Sequence, residues 1–258
     1  MYKFQRGIKN PDFITALNKN QHFQNMVRDK DLFIAIRKEY INVYYYGQSI
    51  CKISFNKKNR EIKWISHKKY FGINENGYLN TGIYLEKIEE LKLNAEKYKL
   101  EEKEQVKKHA LDNEDICILD IEVGFGKPRA YIDYVTIENI NGSTKLVFHE
   151  AKHFKNSDIR SKKEPKVFAQ MKIYENLLHE YREDILISYN KVYENIIELN
   201  LNNKHKLVKV IGKTFDNIKI DTKPILNIFE FDSQRKGTDE HLRRLEKQFG
   251  SRLNLKHK

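Results

Sequence analysis

"TKLVFHEAKHF" (144–154) decides how the middle of this chain folds. Leu146, Phe148 and Phe154 stand at even positions, one face of a strand whose side chains alternate with period two. Glu150 and Lys152 fall in the same row, where the pattern asks for two more apolar groups. An unpaired carboxylate is costly to bury, so the pair needs partners or a purpose. The preceding runs repeat the anomaly. "RAYIDYVTIE" (129–138) carries Tyr131, Val135 and Ile137 on one face, interrupted by Asp133. "ICILDIEVGF" (116–125) has Cys117, Leu119, Ile121, Val123 and Phe125 on one face and Ile116, Ile118, Asp120 and Glu122 on the other. Asn141-Gly142 is the dipeptide favoured by tight hairpin turns, so 116–154 reads as three successive strands of one sheet.

Outward from this core, residues 11–28 read as one helix with Phe13, Leu17, Phe23 and Met26 inward. Four β-type runs follow at 31–37, 41–47, 49–55 and 61–66, separated by tight polar turns, which predicts an antiparallel meander. The Gly- and Asn-rich stretch 67–82 reads as a connection. A single long helix is expected over 83–111, with Ile88, Leu91, Ala95, Tyr98 and Val106 as its stripe. Downstream come a basic loop, a helix over 166–182, a helix over 190–200 and strands at 206–212 and 225–231. A basic helix closes the chain. The expected fold is α/β with a mixed central sheet flanked by helices, over residues 81–258. Residues 1–80 form an N-terminal module of helix and β-meander.

Composition bounds the function. Hydrophobic residues are 40% and aromatics 12% of 258, enough for a globular core. Cys51 and Cys117 are far apart and in no CxxC spacing, which argues for a reducing compartment and against structural zinc. No apolar run approaches the roughly 20 residues of a membrane span and no signal peptide opens the chain, so a soluble cytoplasmic protein is expected. The formal charge of +12 favours a polyanionic partner, nucleic acid first, although a generally lysine-rich composition produces the same charge.

Glu-x-Lys occurs five times, at 61/63, 90/92, 101/103, 150/152 and 164/166, and only Glu150/Lys152 interrupts the apolar face of a hydrophobic strand. Carboxylates gathered on adjacent strands repel unless a cation lies between them, and hard oxygen donors suit Mg²⁺ or Mn²⁺. The competing reading is an internal ion pair, Lys152 with Asp133 or Glu150, that serves only the fold.

Asp133, a hairpin, and then Glu150-Ala151-Lys152 resembles the core of the PD-(D/E)xK nuclease superfamily, with 16 residues between the two carboxylates and Ile132 where the family name has proline. Gln170 and Tyr174, the one Gln-x-x-x-Tyr in the chain, resemble the motif that follows in the RecB-like branch, and helical spacing puts both on one face. The resemblance covers about residues 83–215. It implies a restriction-endonuclease-like core and a Mg²⁺- or Mn²⁺-dependent deoxyribonuclease, in a setting such as restriction or phage defence. Asp133, Glu150 and the Ala151 carbonyl would hold the metal, Lys152 would orient the attacking water, and Gln170 and Tyr174 would brace the site or touch a phosphate. A further carboxylate is implied on the preceding helix. Glu102 fills a slot of the stripe 91, 95, 98, 102, 106 where an apolar residue was due, and Glu122 is its rival. Arg129, Lys155, Arg160, Lys162, Lys163 and Lys166 surround the site in sequence and are the expected phosphate contacts. A non-catalytic nucleic-acid-binding or assembly protein on the same fold is the alternative. The tyrosines of "NVYYYG" (42–47) are read as packing for the N-terminal module, with a surface for substrate, a protein partner or a second copy of the chain as the alternative.

Overall fold

Two sheets organise the chain, one purely antiparallel and one mixed. The computed structural model describes residues 3–80, 82, 87–126, 130–161, 163–232, 234 and 238–257. Its elements are α1 (Pro11–Lys19), α2 (Gln21–Arg28), β1 (Phe33–Arg37), β2 (Tyr40–Tyr45), β3 (Gln48–Asn56), β4 (Glu61–His67), β5 (Tyr78–Asn80), α3 (Ile88–Glu96) and α4 (Glu101–Val106). There follow β6 (Ile118–Phe125), β7 (Ala130–Ile140), β8 (Ser143–His153), α5 (Lys166–Glu180), α6 (Arg182–Glu198), α7 (Lys204–Ile211), β9 (Lys219–Ile220), β10 (Ile225–Phe231), α8 (Glu240–Phe249) and β11 (Leu253–His257). Two compact units result: Met1–Phe4 with Gln105–Leu186 and Asp216–Lys258, and Gln5–Glu104 with Ile187–Phe215. The second unit thus extends past the boundary expected near residue 80 and takes in a later segment as well.

In the second unit β1 to β5 form a meander in sequence order. Alternation buries Ile41, Val43, Cys51, Ile53 and Trp64, and the Phe13 ring of α1 stacks on Phe55 at 5.6 Å. The helix expected over 11–28 is two helices, because Asn20 takes an extended conformation and its side chain caps α2 by accepting Phe23 N–H. Tyr44 and Tyr45 are buried, so the tyrosine run packs. Buried Asn195 of α6 holds the backbone of Ile8, accepting its N–H at 2.7 Å and donating to its carbonyl at 3.1 Å.

Two further sequence readings are corrected here. The single helix expected over 83–111 is α3, a break at Lys97–Leu100, α4 and a π-helical turn Lys107–Leu111. Between Ala95 and Val106 only Tyr98 and Leu100 are apolar, and both are exposed, so tertiary packing does not hold a continuous stripe. Residues 206–212, expected as a strand, form α7. Apolar Leu207, Val208, Val210 and Ile211 fit a 3.6 repeat as well as an alternating one, and Gly212 at φ +90° ends the helix.

The first unit holds the mixed sheet, in the order β11-β10-β8-β7-β6 with β9 beside β8. β6, β7 and β8 are antiparallel, while β8–β10, β10–β11 and β8–β9 are parallel. The β7–β8 turn is Asn141-Gly142 with both φ values positive (52° and 73°), the conformation a tight hairpin demands. β11 was not expected: "LNLKH" offers only two apolar residues and is a strand through its parallel pairing with β10. α5 turns Val167, Met171, Tyr174, Leu177 and Leu178 inward at helical spacing. Among the described residues, no helix is long and apolar enough to cross a membrane.

Candidate active site

β8 is buried continuously from Leu146 to Lys152, and Glu150 and Lys152 are 2% and 6% exposed, so both charges do lie in the core. Lys152 Nζ donates to Glu150 Oε1 at 2.5 Å. Gln170 Nε2, reaching in from α5, donates to the same oxygen at 2.7 Å and to the Tyr174 hydroxyl at 2.6 Å. The Tyr174 hydroxyl in turn donates to the Tyr131 carbonyl at 2.5 Å. One turn of α5 therefore binds both the carboxylate of β8 and the backbone of β7.

The register explains why these groups meet. β7 and β8 pair from Ile140↔Ser143 to Tyr134↔His149, and the ladder stops there. At the next position the Asp133 carboxylate accepts the Ala151 N–H at 2.8 Å, standing where a backbone acceptor would otherwise be. The carboxylate thereby bridges the gap between the strands and is held in place by it. On the other side of β7, the pairs Ile121↔Tyr134 and Val123↔Ile132 set Glu122 opposite Asp133. Glu122 has φ +51° in mid-strand, a conformation costly for a residue with a side chain.

The electrostatics agree with this clustering. Burial, then the negative charge of Glu150 and of Asp133, pushes the Tyr174 phenol far above its ordinary pKa. Tyr174 is consequently a permanent hydrogen-bond donor, which suits its grip on the Tyr131 carbonyl.

Among the described residues, the remaining expected ones lie on α4, on α5 and in the segment between β8 and α5. Glu102, half-buried on α4, belongs to the second unit, and the stripe that singled it out is interrupted at Lys97–Leu100. Arg160 is engaged within the fold: it pairs with Asp239 at 2.9 Å and lies 4.9 Å over the Phe154 ring. The Lys163 carbonyl receives Arg244 while its side chain is exposed. Lys155 and Lys166 are exposed, Lys166 being 3.8 Å from Asp158. Arg129 and Lys162 lie outside the described residues.

Tyr131 departs from the sequence reading. Expected on an inward face with Val135 and Ile137, it is 48% exposed, while those two are buried. The ring sits against Gly124, its register partner on β6. A Cβ on Gly124 would lie 2.8 Å from Tyr131 Cε1 and 3.1 Å from Cδ1, so the ring occupies the space that any other residue would need. The glycine within a strand was the available signal.

Mg²⁺ and Mn²⁺ require hard oxygens, and one or two carboxylates completed by water suffice for Mg²⁺. Asp133 and Glu150 meet that requirement in kind. Among the described residues no group of three or more His, Cys, Asp or Glu side chains is arranged to hold a metal ion. No protein-family model, curated protein or solved structure matches the chain.

Proposed function

We propose that the chain is a divalent-metal-dependent phosphodiesterase acting on nucleic acid, DNA in the first instance, of the PD-(D/E)xK type. The observation that carries this reading is the convergence on Glu150. Lys152 and Gln170 both donate to its Oε1, while Asp133 takes the Ala151 N–H where the β7–β8 ladder ends. Residues singled out because they break the apolar pattern are thereby neighbours through the fold.

Asp133 and Glu150 would hold Mg²⁺ or Mn²⁺, with the Ala151 carbonyl as a further oxygen donor. When bound, the ion supplies a water of lowered pKa and a Lewis acid for the phosphate. The remaining tasks belong to the chain. Lys152 brings an ammonium with three donors to the edge of the carboxylate pair, where it orients water and offsets charge developing on phosphate oxygens. Gln170 fixes one oxygen of Glu150, so the carboxylate cannot rotate freely. Tyr174 stays protonated and ties α5 to β7.

The test is incubation of the purified chain with circular and linear DNA, single-stranded DNA and RNA, with and without Mg²⁺ or Mn²⁺. Cleavage that needs the metal is expected, falling by about a hundredfold or more in Asp133→Ala and Lys152→Ala. Intact substrates in both metals, or variants that cut as well as the parent, would overturn the proposal. One observation favours a second reading: Lys152 and Glu150 already form an ion pair with each other, at 2.5 Å. A non-catalytic nucleic-acid-binding protein would use that pair for its fold. Its signature is binding that survives both substitutions, with cleavage absent throughout.

A further inference from the structure

Resting on the nuclease reading, we infer that Tyr131 is a stacking surface for an unpaired base of the substrate, beside the phosphate that the charged residues address. Tyr131, the second residue of β7, leaves 48% of its surface in solvent, so nearly half of a large aromatic side chain adds nothing to the core. It is nevertheless held at both ends. Its carbonyl accepts the hydroxyl of buried Tyr174, and its ring rests along Gly124, which alone among residue types leaves room for it. The sheet therefore presents an aromatic ring that lies against Gly124, two residues along the strand from Asp133. Alternation puts the two side chains on the same face of β7.

The chemistry of that combination selects the ligand. A phenol ring next to a carboxylate–ammonium cluster suits a molecule with a flat π-face attached to a phosphodiester, which is a nucleotide within a strand. Bases inside a duplex are covered by their neighbours and cannot reach such a ring. The substrate that uses Tyr131 is consequently single-stranded, or opened at an end or a flap. Since every base offers a π-face, this contact confers strandedness without sequence preference.

The experiment reads binding without cleavage. A labelled single-stranded oligodeoxythymidylate, a blunt duplex of equal length and an oligonucleotide with central abasic residues are titrated in EDTA and followed by fluorescence anisotropy. Tyr131→Ala is expected to weaken single-strand binding by about tenfold, within the range measured for one stacked base. Tyr131→Phe and Tyr131→Trp should restore it. The abasic strand should bind parent and Tyr131→Ala alike, and Gly124→Ala, which displaces the ring, should resemble Tyr131→Ala. In Mg²⁺ the Tyr131→Ala defect should appear in KM rather than kcat. Equal single-strand affinity in parent and Tyr131→Ala overturns the inference, as does a loss equally large on the abasic strand. A parent that cleaves while Tyr131→Ala binds normally removes only the stacking role. A parent that never cleaves, yet shows the tyrosine effect in EDTA, removes the nuclease reading.

Discussion

His149 and Glu150 are neighbours in β8, equally buried, and they face opposite sides of the sheet. On the His149 side the polar groups form one directional chain. Asn254 Nδ2 donates to Asn227 Oδ1 at 3.3 Å, and the Asn227 amide lies 3.3 Å from His149 Nδ1. His149 Nε2 is 2.8 Å from Thr136 Oγ1, whose hydroxyl donates to Glu138 Oε1 at 2.6 Å. Donor follows acceptor across four strands if the imidazole is neutral with its proton on Nε2, and burial pushes its pKa below the ordinary value. The ring also stacks on Tyr134 at 4.5 Å. On the Glu150 side three ionisable groups, Asp133, Glu150 and Lys152, share a narrow space next to an exposed aromatic ring. The His149 side places its one carboxylate, Glu138, at the end of the chain and keeps the buried groups Asn227, His149 and Thr136 uncharged and hydrogen-bonded. Buried charges of both signs add little stability over apolar groups of the same shape, so their presence on one face calls for a use beyond packing.

The largest expected effect breaks the charged face. Lys152→Ala strands Glu150 in the core and should cost about 3–5 kcal/mol of stability, together with the loss of cleavage. The double variant Glu150→Gln with Lys152→Met should recover much of that stability in urea denaturation without recovering cleavage. If stability and cleavage return together, or neither falls, the two faces do not differ in kind. Next in size is His149→Ala. Its loss removes one of the partners of Asn227 and of Thr136 and should cost about 1–3 kcal/mol, with the cleavage rate per folded molecule unchanged.

Acid should act on the two faces differently. His149 has a folded-state pKa below its ordinary 6.5, so the unfolded chain binds its proton first. Stability then falls as pH drops through about 6.5 and levels off below the folded-state value. Glu138 works in the same direction at lower pH: the hydrogen bond with His149 holds it below its ordinary 4.5, and its contribution is lost as pH falls below that value. The groups that face His149 are Thr136, Glu138, Asn227 and the Tyr134 ring, with the Lys256 charge nearby. Thermal melts between about pH 7.5 and 5.5 should show a decline in the parent that is shallower in His149→Gln. Equal slopes would remove His149 as the cause.

Much of the charged face was legible because it violates a pattern. Asp133, Glu150 and Lys152 stand out only against the apolar alternation of β7 and β8, and Asn141-Gly142 set the turn that brings those strands together. Gln170 and Tyr174 stand out in the sequence through the motif their Gln-x-x-x-Tyr spacing resembles, and helical spacing puts both on one face. The His149 face left no such trace. His149 reads as one polar position between Phe148 and Glu150, and Asn227 is 78 residues away in sequence. β11 has too few apolar residues to announce a strand, and 206–212 fits two periods at once. The stripe that points to Glu102 needs a continuous helix, and the run from 96 to 105, whose two apolar residues Tyr98 and Leu100 are exposed, does not sustain one. Tyr131 counted as apolar by type, whereas its exposure depends on Gly124 across the sheet.

The smallest effect tests whether the His149 face is a chain or a set of separate pairs. Asn254 lies at its far end on β11, half-buried, and touches His149 only through Asn227. Asn254→Ala removes one hydrogen bond and should cost about 0.5–1.5 kcal/mol. In a directional chain that loss propagates, because the Asn227 amide is no longer oriented and its donor no longer fixes the His149 tautomer. The imidazole then takes up a proton more readily, so its folded-state pKa rises toward 6.5 and the acid-induced decline should be shallower in Asn254→Ala, on top of the stability lost at neutrality. Separate pairs would give the neutral-pH loss alone. The ¹⁵N shifts of the His149 ring distinguish these outcomes directly, since a single Nε2–H tautomer in the parent would give way to a mixture in the variant.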